Sequence, residues 1–382
     1  MKKKSIKDLL AEFLSSGKAG GFILIGCTCL SLVLANSGSG EWYTGLWHAP
    51  MLGQSVEYWI NDGLMAIFFL MIGLELRREL TEGDLSTWRK SALPVFAAIG
   101  GMVIPAGVYF LLNRGTATSS GVGIPMATDI AFALGILSLA GSRIPTGLKV
   151  FLTALAVIDD LGAILVIAFF YTADIMLDNL AISLGIWGVL YLLQRLQVRY
   201  LLVYIVGGIA MWYFMLHSGV HATITGVLLA FVIPARQKDG RSPAHSLQDW
   251  LHEPVSYIIL PLFALANTGI VLNSGWASGL TTMEGYGIIG GLVAGKPLGI
   301  LLFCLIAVST GLGTLPEGVR WKHLAGAGML AGIGFTMSIF ISLLAFDDTA
   351  LVINAKIAIL VASFLAAVAG LLWLKIVTRR TT

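Results

Sequence analysis

Two adjacent carboxylates, Asp159 and Asp160, lie in the middle of an apolar stretch that reads VFLTALAVI before them and LGAILVIAFF after them. At about 1.5 Å per residue this stretch is long enough to cross the hydrocarbon core of a bilayer, with the pair near the midplane. An ionised carboxylate costs about 3 kcal/mol at that depth, so a purely structural helix would carry Leu or Ala instead. The pair predicts an ion or proton site inside a membrane, and the alternative is a polar bridge between helices.

Lys296, in the string GKPLGI, is the only basic residue deep inside an apolar span. An unpaired ammonium there is costly, so we expect it to meet a carboxylate, and the candidates are Asp129, Asp159 and Asp160. Adjacent helical residues point about 100° apart, so Asp159 and Asp160 cannot both face one partner. One of them can pair with Lys296 while the other faces a water-filled funnel.

Such a site has the chemistry of cation–proton exchange. Burial disfavours the charged form of a carboxylate, so that a proton competes with a cation for the same oxygens near neutral pH. Oxygen ligands suit a hard alkali cation, and the chain has no His and Cys clusters that would indicate a transition metal. The pattern therefore predicts that a cation and a proton exclude each other from the site and are exchanged across the membrane. It predicts no cofactor and no nucleic-acid partner.

The composition shows which elements must position these residues. The chain has 382 residues, of which 57% are hydrophobic and 12% are charged, and its mean hydropathy is +0.86. Soluble globular proteins carry about 25% charged residues. Since only helices and closed barrels satisfy their backbone inside lipid, the long apolar runs predict a polytopic all-α membrane protein and exclude a soluble or structural role.

We predict twelve spans in a single integral membrane domain, residues 1–382. The spans are centred on residues 11–36, 56–80, 91–112, 117–139, 146–171, 178–196, 201–215, 219–233, 245–267, 285–307, 323–346 and 353–376. With the N-terminus in the cytoplasm, all but three of the 24 Lys and Arg residues fall on the cytoplasmic side. The exceptions are Arg114 and Lys356 outside and Lys296 within a span. This asymmetry predicts that both termini are cytoplasmic.

Two of these spans contain residues that interrupt helices. The residues are Gly123 and Pro125 in the fourth span and Gly332 and Gly334 in the eleventh. Unwound backbone at that depth is tolerated where it lines a cavity or is buried in protein. Paired broken helices in the two halves of a chain are typical of a transporter site at the midplane. The alternative is ordinary packing of helices through small residues.

A charged cluster ends the second span in the string MIGLELRREL. Glu75 and Glu79 share one helix face, and Arg78 follows Glu75 by three residues. The cluster indicates either a solvated helix end or a charged entrance for ions.

Seven strings together resemble the NhaA family of bacterial sodium/proton antiporters. In chain order they are FFLMIGLELRREL, PMATDIAFALG, AVIDDLGAI, SGVHATITGV, LPLFALANTG, GKPLGI and GIGFTMSIF. They follow the family order over nearly the whole chain. The rule on paired broken helices is itself drawn partly from this family, so the rule gives the resemblance no independent support.

The resemblance implies a twelve-helix antiporter of the bacterial inner membrane, with inverted-topology repeats at about 91–171 and 285–376 and with crossing broken helices in spans 4 and 11. It implies export of Na⁺ or Li⁺ in exchange for more than one H⁺, driven by the proton-motive force and regulated by pH. The expected partners are these ions, the lipid bilayer and a second copy in a homodimer.

The resemblance also implies a role for each matching residue. Asp160 would be the main cation and proton carboxylate, and Asp159 would share the transient Na⁺ or Li⁺ site and pair with Lys296 in one state. The other implied roles are charge compensation at the helix crossing for Asp129, Lys296 and Thr128, and pH sensing at the cytoplasmic entrance for Glu75, Arg78 and Glu79.

Two segments depart from the family pattern. Members commonly have an acidic residue at the start of the ninth helix, where this chain has Gln248 followed by Asp249. The first outer loop, MLGQSVEYW, is short for the hairpin that family dimers use. These differences leave the pH profile and the strength of dimerisation open.

Three other functions also place charged residues inside a membrane. An intramembrane aspartyl protease needs two facing carboxylates that share a proton, and adjacent residues of one helix do not face each other. A retinal-type pump would also pair a buried Lys with an Asp, but the paired helix breaks argue against it. A passive Na⁺ channel differs from an antiporter in lacking proton coupling.

Overall fold

The computed structural model describes residues 19–83, 85–141, 143–172, 175–235, 242–272 and 275–379. The start of the first predicted span and several basic residues used for the topology lie outside this part of the chain; these residues are Lys2, Lys3, Lys4, Lys7, Lys18, Arg236, Lys238, Arg241 and Arg380. The chain divides into two compact units. Unit one comprises Met1–Thr44, Thr87–Asp160 and Ala264–Thr382, and unit two comprises Gly45–Ser86 and Leu161–Phe263.

Helices account for most of the described residues, as the composition predicts. The first seven are α1 (Ala19–Ala35), α2 (Gly40–His48), α3 (Val56–Thr81), α4 (Trp88–Asn113), α5 (Ile130–Leu139), α6 (Thr146–Phe170) and α7 (Leu177–Arg195). The others are α8 (Leu201–Leu216), α9 (Ile224–Val232), α10 (Pro243–Pro254), α11 (Leu260–Asn267), α12 (Met283–Ser309), α13 (Trp321–Ala331), α14 (Phe335–Ala345) and α15 (Thr349–Arg379). The remaining elements of the described residues are two 3₁₀ helices, Ser119–Met126 and Trp276–Thr281, a π-helix between α10 and α11, Val255–Ile259, and a hairpin of β1 (Pro50–Met51) with β2 (Gln54–Ser55).

Many of these helices are long and apolar enough to cross a membrane. Within the described residues six qualify alone, namely α3, α4 from Ser91, α6, α7, α12 and α15. Three further pairs qualify when each is taken as one bent span: α1 with α2, the first 3₁₀ helix with α5, and α13 with α14. The prediction of apolar transmembrane helices is confirmed, whereas the count of twelve spans stays a prediction.

The two spans expected to be broken each consist of two helical segments. The 3₁₀ helix Ser119–Met126 and α5 are bent by 41°, and α13 and α14 are bent by 44°. Gly332 and Gly334 lie between α13 and α14. Gly123 and Pro125 instead lie inside the 3₁₀ helix, and the interruption follows at 127–129. Proline fixes φ near −65°, which a 3₁₀ turn accommodates, so Pro125 need not end the helix at its own position.

In unit one, α4 and α12 pack against each other through Gly100 and Gly299. A methyl group on either glycine would overlap the backbone carbonyl oxygen of the other. The two backbones therefore approach as closely as only small residues allow, which is the usual way in which membrane helices gain packing contacts. Because Lys296 lies one turn from Gly299 on α12, this contact also sets the position of the buried ammonium.

We expect Gly100→Ala to lower the stability of the protein, because the added methyl group must push two backbones apart at a cost of about 1–3 kcal/mol. Gly107→Ala is the matched control on the same helix, because a methyl group there meets no atom within 4 Å. That change should be neutral or stabilising by up to about 1 kcal/mol through helix propensity. Unfolding temperatures of the purified variants in detergent test this, and equal temperatures would contradict the packing argument.

Unit two has a comparable close contact between α3 and α9. A methyl group on Gly226 of α9 would overlap the carbonyl oxygen of Ala66 in α3.

The hairpin precedes α3, and its turn places Leu52 and Gly53 at φ of 53° and 87°. A left-handed conformation is unfavourable for leucine. The side chain of Leu52 is nevertheless 86% exposed. The short outer loop thus forms a hairpin with an apolar side chain at its tip.

Candidate ion site

The helix α6 carries Asp159 and Asp160 in a position where water does not reach them. Their exposed fractions are 0% and 1%. The residues around them in α6 are apolar and favour a buried helix. Nothing in the local sequence explains why two acids lie there. Carboxylates at this depth need compensation from the rest of unit one.

Lys296 provides compensation for Asp159. Its ammonium lies 2.9 Å from Asp159 Oδ2, and both side chains are fully buried. Lys296 also donates a hydrogen bond to the carbonyl oxygen of Met126, and Thr128 Oγ1 donates to the same Asp159 Oδ2 at 2.7 Å. Among the three acids that sequence reasoning offered as partners, this structure therefore pairs Lys296 with Asp159.

Asp129 does not face Lys296 in a salt bridge, because its two oxygens serve helix ends. Oδ1 accepts from the backbone N–H of Phe132 at 2.9 Å, which caps α5. Oδ2 accepts from the backbone N–H of Thr336 at 3.2 Å and from its hydroxyl at 2.5 Å, in the first turn of α14. One carboxylate thus satisfies the amino-terminal ends of two helices, where unpaired N–H groups carry partial positive charge.

The carboxyl-terminal ends at the same place receive donors. The 3₁₀ helix ends at Met126, whose carbonyl oxygen accepts from Lys296. The helix α13 ends at Ala331, whose carbonyl oxygen lies 2.9 Å from Thr128 Oγ1, so the single hydroxyl proton of Thr128 is shared between this carbonyl and Asp159 Oδ2. Because helix carboxyl ends carry partial negative charge, a cation and a hydroxyl donor there complement the anion at the amino-terminal ends. The geometry therefore suits the charge compensation that the family resemblance implies for Asp129, Lys296 and Thr128.

Other polar side chains at the interruptions were not singled out from the sequence as site residues. Ser338 donates its hydroxyl to the carbonyl oxygen of Ile124 at 2.7 Å. Ser363, on α15, accepts from the backbone N–H of Phe335 at 3.1 Å and so caps α14. Ser338 lies in the string GIGFTMSIF and could have been noticed there. Ser363 is an isolated hydroxyl in an apolar helix, and no local pattern distinguishes it.

The predicted entrance cluster lies in unit two. Arg78 Nη2 is 3.8 Å from Glu79 Oε1, so the arginine contacts its neighbour in sequence. Glu75, one turn earlier, is half-buried and lies within electrostatic range of Arg78, Glu79 and His252. His252 belongs to α10, so α3 and α10 bring acidic and titratable groups together at one end of unit two.

The segment that departs from the family pattern lies in the same helix as His252. In α10, Gln248 is buried and Asp249 is exposed. A side-chain contact also joins this helix to the residue that follows α3, because His245 Nε2 lies 3.5 Å from Glu82 Oε2. The acid expected at the start of the ninth helix is thus replaced by a buried amide.

One carboxylate oxygen of Asp159 is open to a ligand. Asp159 Oδ1 has no hydrogen-bond partner among the described residues, so one oxygen of the held carboxylate remains available. In the same part of the chain no group of three or more His, Cys, Asp or Glu side chains could hold a metal ion.

We predict that Lys296→Ala lowers the stability of the protein by about 3–5 kcal/mol, because it strands the buried carboxylate of Asp159. Adding Asp159→Asn should partly restore stability, since it removes the stranded charge. Lys149→Ala, at an exposed position of α6, is the control and should have little effect. Unfolding temperatures in detergent are measured for the unmodified protein, for Lys296→Ala, Asp159→Asn and Lys149→Ala alone, and for the double variant. Additive losses in the double variant would refute the pairing.

Comparison with known proteins agrees with the motifs. Residues 11–374 match the family model described as Na⁺/H⁺ antiporter 1. A Flavobacterium psychrophilum protein named Na(+)/H(+) antiporter NhaA is 57% identical over 376 residues, which is 98% of each chain. A protein with that name from Dechloromonas aromatica is 57% identical over 373 residues, 97% of this chain and 96% of the relative. One from Escherichia coli is 48% identical over 379 residues, 96% of this chain and 98% of the relative. The resemblance is confirmed, and the chain belongs to the NhaA family of Na⁺/H⁺ antiporters.

Proposed function

We propose that this protein is a secondary active transporter, not an enzyme, that exports Na⁺ or Li⁺ in exchange for more than one H⁺. The exchange would maintain the sodium content and the pH of a bacterial cell, and it needs no cofactor. The observation that carries the proposal is the buried acid pair of α6, in which Asp159 is bound to Lys296 and Asp160 lies beside it at 1% exposure.

The two carboxylates have different roles in this proposal. Asp160 is the main exchangeable group and binds either a proton or the cation. Asp159 joins the cation site when its oxygens turn from Lys296 to the ion. Since a cation and a proton compete for the same oxygens, loading from one side with Na⁺ and from the other with H⁺ gives exchange.

Lys296 offers a source for a second proton. When a cation takes over the oxygens of Asp159, the buried ammonium loses its partner and its charged form becomes unfavourable. Release of its proton together with that of Asp160 would couple two protons to one cation. The alternative is that Lys296 keeps its proton and has a structural role. Lys296→Arg separates the two, because arginine keeps its charge but releases a proton far less readily.

The finer features of the architecture belong to the same proposal. We infer a multi-pass protein of the bacterial inner membrane with twelve spans, cytoplasmic termini, inverted repeats and crossing broken helices in spans 4 and 11. We assign pH sensing to the cytoplasmic entrance at Glu75, Arg78 and Glu79. The buried Gln248 in α10 supports a pH profile different from that of members with an acid there.

We also propose a homodimer. The support is the hairpin of β1 and β2, whose apolar tip residue Leu52 is 86% exposed. An exposed leucine in a strained turn has no evident use within unit two itself. The short strands, two residues each, favour a weak interface.

Replacing Asp160 tests the exchangeable site. Asp160→Asn keeps the volume of the side chain and removes its charge, so the helix should still insert while Na⁺- and Li⁺-driven transport disappears. Asp159→Asn should be severely impaired. The measurement is dequenching of a ΔpH-sensitive dye in everted vesicles on addition of Na⁺, Li⁺ or K⁺ across a pH series.

Asp178→Asn is the matched control for this experiment, because Asp178 is an exposed acid in the first turn of α7. It should transport normally. Normal Na⁺ exchange in the Asp160→Asn protein would remove Asp160 from the site. Sodium flux without a change in ΔpH in the unmodified protein would identify a channel instead.

Unequal coupling of protons and cations predicts that transport moves net charge. The membrane potential then contributes about 2.3 kcal/mol per charge per 100 mV. In proteoliposomes, clamping the potential to zero should change the rate, and an imposed potential should drive Na⁺ flux. Indifference to the potential would mean electroneutral exchange, with one proton per cation.

A further inference from the structure

A basic cavity of about 290 Å³ lies in unit one between the end of α5 and the end of α15. Its lining residues are Ala140, Gly141, Arg143, Lys375, Thr378 and Arg379. Three of these six are cations and none is acidic. Lys375 belongs to α15 and Arg143 follows α5, so two cations from separate segments line the same cavity. An anion bound there would offset both charges.

The usual role of basic residues at helix carboxyl ends does not account for Arg143 and Lys375. Lys and Arg there commonly donate to the last carbonyl groups. Within the described residues, however, the side chains of Arg143 and Lys375 form no hydrogen bond or ion pair. Gly141, at φ of 102°, turns the chain directly after α5 and leads it to Arg143. The turn thus presents the guanidinium at the cavity without using it as a cap.

Apolar side chains adjoin the cavity on both helices. On α15, Leu372 and Ile376 are 55% and 53% exposed, and at the end of α5 Leu139 is 42% exposed. The helix α15 has 31 residues and is about 46 Å long. That exceeds the hydrocarbon core of a bilayer, about 30 Å, so its basic end reaches the depth of the lipid headgroups. A charged cavity at that depth with apolar neighbours matches the two parts of a phospholipid.

We propose that this cavity binds the phosphate of an anionic phospholipid such as phosphatidylglycerol, with the acyl chains along Leu372 and Ile376. Basic cavities between helix ends are suited to anionic headgroups. A free phosphate ion shares the charge chemistry but gains nothing from the apolar residues. In the topology proposed above the lipid belongs to the cytoplasmic leaflet, but its binding does not depend on Na⁺/H⁺ exchange.

The lipid would join two helices that also contact the helix interruptions. The amino-terminal end of α5 is capped by Asp129, and α15 supplies Ser363 to the amino-terminal end of α14. A headgroup held by Arg143 on one side and Lys375 on the other would tie the far end of α5 to α15. Bound lipid should therefore stabilise the folded protein.

The test uses the full-length protein, delipidated in an uncharged detergent, and follows its unfolding temperature as phosphatidylglycerol is added. Phosphatidylcholine and inorganic phosphate are titrated in parallel. The variant combines Arg143→Gln with Lys375→Gln. The matched control combines Lys149→Gln with Lys322→Gln, which removes the same charge from exposed residues outside the cavity.

We expect phosphatidylglycerol, but neither phosphatidylcholine nor phosphate, to stabilise the unmodified protein and the control. Each basic residue strengthens binding of anionic lipid about fivefold, so the cavity variant should need about 25-fold more lipid. Arg143→Lys combined with Lys375→Arg exchanges the two types of basic side chain but keeps both charges, so it should preserve the response.

An equal loss in the control would overturn the site, and so would an unchanged response of the cavity variant. Stabilisation by phosphate alone would identify a free-anion site, and stabilisation by phosphatidylcholine would exclude recognition of charge. None of these outcomes bears on Asp160, so the ion exchange is tested separately.

Discussion

The carboxylate of Asp129 holds together two parts of the chain that are 207 positions apart. It accepts hydrogen bonds from the first turns of α5 and α14, and its own backbone N–H donates to Ile333 O at 2.7 Å. Unwound backbone inside an apolar protein exposes N–H and C=O groups that water cannot reach. A negative charge shared by two helix amino-terminal ends satisfies those groups and offsets their partial positive charge. Loss of this interaction would leave N–H groups at both interruptions without their carboxylate partner.

The ion site depends on the same balance of charge. Lys296 contacts both the carbonyl oxygen that ends the 3₁₀ helix and the carboxylate of Asp159. Any cation that binds Asp159 must therefore compete with an ammonium that is already in place. In the exchange we propose, that competition would make the affinity for the cation depend on the protonation of the protein. It gives the exchange we propose a physical basis without any large group of metal ligands.

Close packing of the helices holds the groups of the helix interruptions and of the acid pair in position. Gly100 and Gly299 bring α4 and α12 together at the level of the backbone, one turn from Lys296. Ser338 and Ser363 add hydrogen bonds from α14 to Ile124 and from α15 to the start of α14. Because each of these groups is buried, loss of one leaves a partner without a hydrogen bond, which costs more than the bond contributes on average. The interruptions are thus surrounded by polar groups that support one another.

Local physical chemistry made much of this protein predictable from its sequence. Apolar runs require helices in lipid, and an acid pair or a lysine in such a run has no low-cost structural use, so Asp159, Asp160 and Lys296 stand out without a structure. The glycines near 332 mark one helix interruption for the same local reason. Contacts between distant residues decided the rest. They select Asp159 as the partner of Lys296, assign Asp129 to two helix ends, and place Ser363 beside α14. They also put one interruption at 127–129, beyond Pro125, because the hydrogen bonds that stabilise it come from the other end of the chain.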